Sequence, residues 1–245
     1  MPEAIGILQT IMRYPVKSMK GHELSEVFIS YSGITGDRVY AFVDKSKKGN
    51  FPWMTGRQEY GMIRYEPRFT NAPEATMQHP DPSHFDVIVT SPDGQERSIY
   101  DETLRKELEE QSGKSLELRF YLPGMQDSRP VSLISSQSVD QLSKELSLNV
   151  DSKRFRMNLL VDWNNNKPFY EDELIGNKIQ IGETLVVEIN KKDARCVMIT
   201  LDPKTAQPNP AILKHVALNH GGCIGVYAVV IREGIVKRGD AISLL

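Results

Sequence analysis

The sequence predicts a mainly β protein with a few helices, built of β-barrels and not of a doubly wound sheet. Three observations carry that expectation. Short alternating or apolar runs that read as strands recur along the whole chain. Only three stretches show the period of an amphipathic helix, and they fall between the strands without a regular βαβ rhythm. Turn residues punctuate the runs at short intervals.

Taken in order, residues 4–14 and 39–44 read as strands separated by the turn-rich Ser32-Gly-Ile-Thr-Gly36. Residues 85–90 and 97–100 flank Ser91-Pro-Asp-Gly94, a hairpin turn in which Pro presets φ and Gly tolerates a positive one. A helix follows, with Asp101 as its N-cap, Leu104 and Leu108 on one face and Gly113 as its stop. Residues 116–122 alternate again. Pro123-Gly124 and the polar segment to Pro130 mark a boundary. Beyond it, residues 136–146 carry Val139, Leu142 and Leu146 on one helical stripe. Strands are expected at 156–161, 178–181, 185–190 and 197–201. A Pro-initiated helix covers 210–218, and the chain closes with a strand at 225–232, a Glu233-Gly234 turn and a strand at 241–245. Residues 71–83, with three prolines, form a surface loop.

Composition excludes several classes. At 245 residues, 40% hydrophobic and 25% charged, the chain can bury a substantial core. Its 30 basic and 32 acidic residues form no block of one sign, so there is no footprint for nucleic acid, although a small basic pocket would not show in the total. The two cysteines, Cys196 and Cys223, form no CxxC. His22, His79, His84, His215 and His220 are scattered, and the five-residue spacing of the last two suits one helical face poorly. These features predict a reduced, intracellular protein without a structural metal. No charged leader precedes an apolar core, and no apolar run approaches the ~20 residues of a spanning helix, so a soluble, cytoplasmic protein with no membrane partner is expected.

Four stretches depart from plain strand chemistry. In "YPVKSMKG", Lys17, Ser18 and Lys20 cluster where a strand should end, and lysine with a hydroxyl and free N–H groups can hold a phosphate oxygen; on its own a solvated loop also accounts for it. Arg38 in "GITGDRVYAFVD" and Arg57 in "MTGRQ" are either surface caps or anchors for an anion, which the guanidinium fork suits. In "KRFRMNLLVD", a strand would place Arg154, Arg156 and Asn158 in a row on one face. In "DARCVMITLDP", Arg195 beside Cys196 would favour a thiolate, the form that attacks electrophiles or ligates soft metals. No histidine is placed to form a Cys–His pair with it, and a buried cysteine is otherwise a small hydrophobe. Cys223, leading into an apolar run, reads as structural.

Together these stretches resemble the MOSC family, named for the C-terminal domain of molybdenum cofactor sulfurase. The arrangement with a preceding domain is similar to the mitochondrial amidoxime reducing component and its bacterial relatives. The matching pieces are "YPVKSMKG", "SGITGDRVYAFV", "TGRQ", "RFRMN", "ELIGNKIQIG", "ARCVMITLDP" and "GVYAVVIREGIVKRGD", in family order from residue 14 to residue 240. The resemblance implies a smaller N-terminal β-barrel-like domain over residues 1–122 and a β-barrel MOSC domain over 123–245.

It also implies a molybdenum cofactor (molybdopterin) between the two, its metal bound by Cys196. Lys17, Ser18 and Arg38 would hold the phosphate. Arg156 and Asn158 would contact the pterin, with Asp127, Ser128 and Arg57 near it. The implied activity is a molybdenum-dependent oxidoreductase that reduces small N-hydroxylated compounds such as amidoximes and hydroxylamines. With two cysteines in all, the chain cannot bind an iron–sulfur cluster through four of them, so a separate ferredoxin- or flavoprotein-type donor would supply electrons. A cofactor held by one metal–protein bond and hydrogen bonds is readily lost on purification. Family-wide labels add pyridoxal phosphate binding, for which no lysine context argues here. Two other readings stay open: a sulfur carrier with a Cys196 persulfide, and a non-catalytic cofactor-binding module. The chain departs from the family at Met19, at Met157 and in "DPKTAQ", where Ala206 replaces a glycine.

Overall fold

In the first strand, AIGILQTIMR, Gly6 and Leu8 point inward and Ile7 and Gln9 outward, the period expected of a half-buried strand. A β-bulge between Leu8 and Thr10 resets that alternation, so that Ile11 also reaches the core. This strand organises the computed structural model, which describes residues 3–78, 80–128 and 130–245.

The first half contains β1 (Ala4–Arg13), β2 (His22–Leu24), β3 (Glu26–Ser30), β4 (Gly33–Ile34), β5 (Tyr40–Asp44), β6 (Glu66–Phe69), β7 (Val87–Thr90), β8 (Glu96–Ser98), α1 (Glu102–Ser112) and β9 (Leu116–Phe120). The second half contains β10 (Val131–Ser135), α2 (Ser136–Leu146), β11 (Leu159–Trp163), the short α3 (Tyr170–Glu173), β12 (Lys178–Ile181), β13 (Leu185–Ala194), α4 (Pro210–Asn219), β14 (Cys223–Arg232), β15 (Gly234–Lys237) and β16 (Ala241–Leu244).

The protein is mainly β, as its alternating runs predict. Seven strands, in the order β11-β10-β14-β13-β12-β16-β1, close into a barrel because β1 pairs back onto β11. Closure removes the free edges that an open sheet must protect. Thus the first strand of the chain completes a barrel whose other six strands come from residues 131–244. At the seam Gly6 faces Trp163, and a Cβ there would sit 2.7 Å from the indole. Glycine therefore lets the buried Trp163 pack on the closing strand. The barrel core runs from Leu8 and Ile11 through Leu133, Leu159, Ile179 and Val187 to Val226 and Ile242.

A second core, with Val16, Tyr40, Phe42, Met62, Phe85 and Leu104, lies under the sheets β5–β9 and β6–β7–β8. The expected α1 is present with its Asp101 cap and with Gly113 at φ 65°. A third cluster packs α2 and α4 over Phe155, Met157 and Ile199. Residues 71–78 run as exposed or half-exposed turns.

One expected strand is absent and another begins three residues late. Residues 197–201 form a 3-10 turn, Val197–Thr200, in which the Thr200 hydroxyl donates to the Val197 carbonyl. A short apolar run has no period long enough to separate that outcome from a buried strand. Residues 156–161 do not form one strand either. Asp151 caps a 3-10 turn over Ser152–Phe155, Arg156 takes a left-handed backbone at φ 54°, and pairing begins at Leu159 opposite Leu133. The row of Arg154, Arg156 and Asn158 on one strand face therefore does not exist. Arg154 turns instead to the Thr200 carbonyl (2.8 Å) and Asp202 (3.0 Å). Among the described residues no helix is long and apolar enough to cross a membrane.

Candidate functional site

The segment after β1 is not a solvated loop. Lys17 and Ser18 are only 4% and 6% exposed. Backbone bonds from Lys17 N to the Tyr40 carbonyl (2.8 Å), Tyr40 N to Pro15 (3.1 Å) and Arg38 N to Tyr14 (2.6 Å) zip it to the chain entering β5. That zipper is why Lys17, Ser18 and Arg38, some twenty residues apart in sequence, share one wall.

The wall borders a cleft of about 280 Å³, and Cys196 and the eight other residues expected from the sequence all line it. They are Lys17, Ser18, Arg38, Arg57, Asp127, Ser128, Arg156 and Asn158. Lys191, Lys192, Asp193, Arg195 and Tyr227 add to the lining, so seven basic side chains face two acidic ones in a protein whose net charge is −2. Basic charge is thus concentrated in one concavity, where low-dielectric walls strengthen its pull on an anion.

Specific partners hold Lys17, Arg38, Arg57 and Arg156. Lys17 Nζ donates to the Met125 carbonyl (2.6 Å) and to Asp127, and Arg57 reaches the other oxygen of that carboxylate at 2.8 Å. Burial lowers the pKa of Lys17 and Asp127 opposes the shift. Behind the wall, the buried Asp37 pairs with Arg38 and accepts the N–H of Tyr14 at 2.9 Å. Arg38 also donates to the Arg156 carbonyl at 2.9 Å, and Arg156 to the Met19 carbonyl at 2.7 Å. Both guanidiniums lie over the Tyr14 ring, at 4.7 and 4.4 Å from its centroid. Gly21 has no side chain because the same ring occupies that space; a Cβ would meet it at 2.4 Å. Burial pushes the pKa of Arg156 down to about 10, which leaves it charged at neutral pH.

Ser18, Arg38 and Arg156 all have left-handed backbones, with φ of 67°, 53° and 54°. Such a conformation costs a non-glycine residue about 1–3 kcal/mol, and it recurs where a side chain must be aimed at a site. Ala206, standing where the family carries glycine, keeps a left-handed backbone (φ 62°). Its methyl packs with Ile63 and Leu201, so the loop retains the glycine conformation with alanine in it.

Cys196 and Cys223 are free and half-buried. Cys196 caps the 3-10 turn at the end of β13, where the backbone turns out of the sheet. Arg195 does not lie idle beside it. Its guanidinium pairs with Asp193 and donates to the Phe155 carbonyl (2.5 Å), while its buried Nε has no partner among the described residues. Burial raises the pKa of Asp193, against the pull of Arg195. Asn158 lines the cleft, but its side chain is engaged with Ser132 (2.9 Å) and the Met12 carbonyl (3.3 Å), which ties it to the barrel.

The donor set suits the group the sequence resemblance implies. A free thiol can ligate a soft metal, the basic excess matches a phosphorylated pterin, and Arg195, which lines the same cleft, has a buried Nε without a partner among the described residues. Sequence reasoning missed Asp37, Lys191, Asp193 and Tyr227. Asp37 stood next to Arg38, and "KKDARC" runs straight into the cysteine, so adjacency was the available signal. Tyr227 comes in only through strand pairing, opposite Lys191.

Fold and site define a closed-barrel protein with a basic cleft that a free cysteine lines. Residues 5–117 match the MOSC N-terminal beta barrel domain and residues 123–243 the MOSC domain; the chain belongs to the MOSC family. MOSC domains are associated in general with binding of the molybdenum cofactor. A comparison with curated proteins found no match. Among solved structures the chain is similar to the YuaD protein from Bacillus subtilis, at 13% identity and a TM-score of 0.52, covering 100% of this chain and 98% of that one. It is also similar to YiiM from Geobacillus stearothermophilus, at 16% identity and a TM-score of 0.38, over 47% of this chain and 54% of that one. The first likeness supports the fold.

Proposed function

We propose that the protein binds a molybdenum cofactor in the basic cleft and reduces small N-hydroxylated compounds. The observation that carries this reading is that seven basic residues and one free, half-buried thiol line the same cleft. Cys196 would ligate the metal. Lys17, Ser18 and Arg38 would hold the phosphate, and Arg156 would lie along the pterin with Arg57, Asp127 and Ser128 at the rim. When bound, the cofactor would supply the two-electron redox centre through which an N–OH group, two electrons and two protons become N–H and water.

The chain's own residues do the positioning. Asp37 holds Arg38 and the Tyr14 backbone, so the phosphate wall is in place before a ligand arrives and little ordering entropy is lost on binding. Asp127, already shared by Lys17 and Arg57, keeps both side chains at the rim and screens their mutual repulsion. Asn158, tied to Ser132, would fix the floor without contributing charge. Electrons would come from a separate donor protein, since two cysteines cannot supply the usual four ligands of a cluster.

The test is turnover of an aromatic amidoxime and of hydroxylamine by cofactor-loaded protein with a chemical reductant, for wild type, Cys196→Ser and Lys17→Met/Arg38→Met. The proposal expects amidine and ammonia, respectively, from wild type, neither from Cys196→Ser, and a strong loss with the cation double variant. Product formation that survives Cys196→Ser would overturn it. A persulfide carrier would need the thiol but not the basic wall, and would release sulfide on reduction instead.

A further inference from the structure

On the far side of the Cys196 turn, Glu145 at the end of α2 meets His215 of α4 and His220, the residue that caps α4. The five-residue spacing of the histidines is wrong for a continuous helix. The chain leaves the helix at His220, whose backbone (φ −125°, ψ 21°) is no longer helical, and the two rings converge. His215 Nε2 lies 2.8 Å and His220 Nε2 2.7 Å from the same oxygen, Oε2 of Glu145. One ligand atom from each of the three residues falls within 4.8 Å of the others.

We infer that Glu145, His215 and His220 form a binding site for a zinc-like divalent cation that clamps α2 to α4. The donor chemistry is that of a first-row metal: two imidazole nitrogens and one carboxylate oxygen, with a position left for water. A tetrahedral ion lies about 2.0–2.2 Å from each such atom, which sets the ligand atoms roughly 3.4 Å apart. From the present 2.7 and 2.8 Å the two nitrogen–oxygen distances must open by roughly 0.6–0.7 Å, within reach of small side-chain rotations.

Gln141 Nε2 donates to the other oxygen, Oε1, at 3.0 Å, which leaves Oε2 turned towards both rings. The rings are also held from behind. The Asn219 amide lies 3.1 Å from His215 Nδ1, and the His220 ring packs on Phe169 at 4.7 Å. Entry of the ion displaces the protons held between Nε2 and the carboxylate, so that each neutral ring carries its proton on Nδ1 and any excess proton passes to solvent; at His215 the Asn219 side chain must turn its oxygen to accept that proton, and nothing is oxidised or reduced.

The site is separate from the basic cleft. It still touches the segment that bears Cys196: the turn after His220 accepts the Arg195 N–H on the Gly222 carbonyl at 2.8 Å. The inference does not rest on the cofactor reading, and different residues test it.

Chelator-stripped protein is titrated with zinc chloride by calorimetry and with cobalt(II) by absorption, for wild type, Cys196→Ser, Glu145→Gln, His215→Ala and His220→Ala. One equivalent is expected in wild type and in Cys196→Ser, with cobalt ligand-field bands but no thiolate charge-transfer band. Each of the other three variants should bind at least tenfold more weakly. The near-isosteric Glu145→Gln serves if a histidine variant does not fold by circular dichroism. Absence of binding in wild type, binding unchanged in those three variants, or loss in Cys196→Ser would overturn the site.

Discussion

Asp37 is the place to test whether the basic wall of the cleft is built by the fold. It is 1% exposed, pairs with Arg38 and accepts the Tyr14 N–H at 2.9 Å. Removing one partner of a buried pair costs about 3–5 kcal/mol, because the other charge is left without compensation. Arg38 keeps its bond to the Arg156 carbonyl and its place on the Tyr14 ring, and it borders the cleft, where water can reach it. Those remnants place Asp37→Ala at the lower end, about 3–4 kcal/mol. Asp37→Asn keeps an acceptor for the Tyr14 N–H and loses the charge, so about 2 kcal/mol is expected. The assay is urea unfolding followed by the fluorescence of the buried Trp163, alongside a thermal scan. At roughly 2–4 °C per kcal/mol for a chain of this size, the alanine variant should melt about 6–15 °C lower. Both variants within about 1 kcal/mol of wild type would refute the reasoning. Equal losses in the two would show that the Tyr14 N–H bond carries no weight.

Lys17→Met should weaken retention of a phosphorylated pterin roughly tenfold to a hundredfold, the worth of one charge-assisted contact of about 1.5–3 kcal/mol, measured by equilibrium dialysis of the free cofactor. Glu171→Ala should destabilise by about 3–5 kcal/mol in the same urea assay. The fully buried carboxylate accepts from Ser135 N, both the Ser135 and Ser138 hydroxyls, and Trp163 Nε1, and the hydroxyls alone can pair with each other. Glu145 gives a pH signature. Burial opposes its ionisation, but hydrogen bonds from His215, Gln141 and His220 outweigh it and hold the carboxyl at about 2. A depressed pKa stabilises the folded state fully above the unfolded value near 4.5 and ceases to do so as pH falls through 2. The stability gap between wild type and Glu145→Gln in metal-free protein should therefore hold above about pH 4.5 and narrow towards pH 2.

Much of this architecture was legible because strand alternation and helix caps are local. Asp101, Gly113 and Ser91-Pro-Asp-Gly94 fall where the sequence places them. Closure was not legible, since nothing in AIGILQTIMR announces pairing with both Leu159–Trp163 and Ala241–Leu244. The strand at Val131–Ser135 was missed because a fully buried parallel partner of five residues has no alternation to read. At the site, the residues on quoted stretches were found, since lysine, arginine and cysteine at strand ends suggest chemistry directly. The supports were not. Asp37 acts through its burial, Tyr227 through register, and the His215–His220 pair through a helix end that breaks the spacing rule applied to it.

The most direct test of the central claim is molybdenum content by elemental mass spectrometry, on wild type and Cys196→Ser purified from a cofactor-competent host. The account predicts near-stoichiometric molybdenum in wild type and little or none in the variant, with both equally folded by circular dichroism. Wild type that holds no molybdenum even after reconstitution with the free cofactor, or a variant that holds as much as wild type, would contradict it.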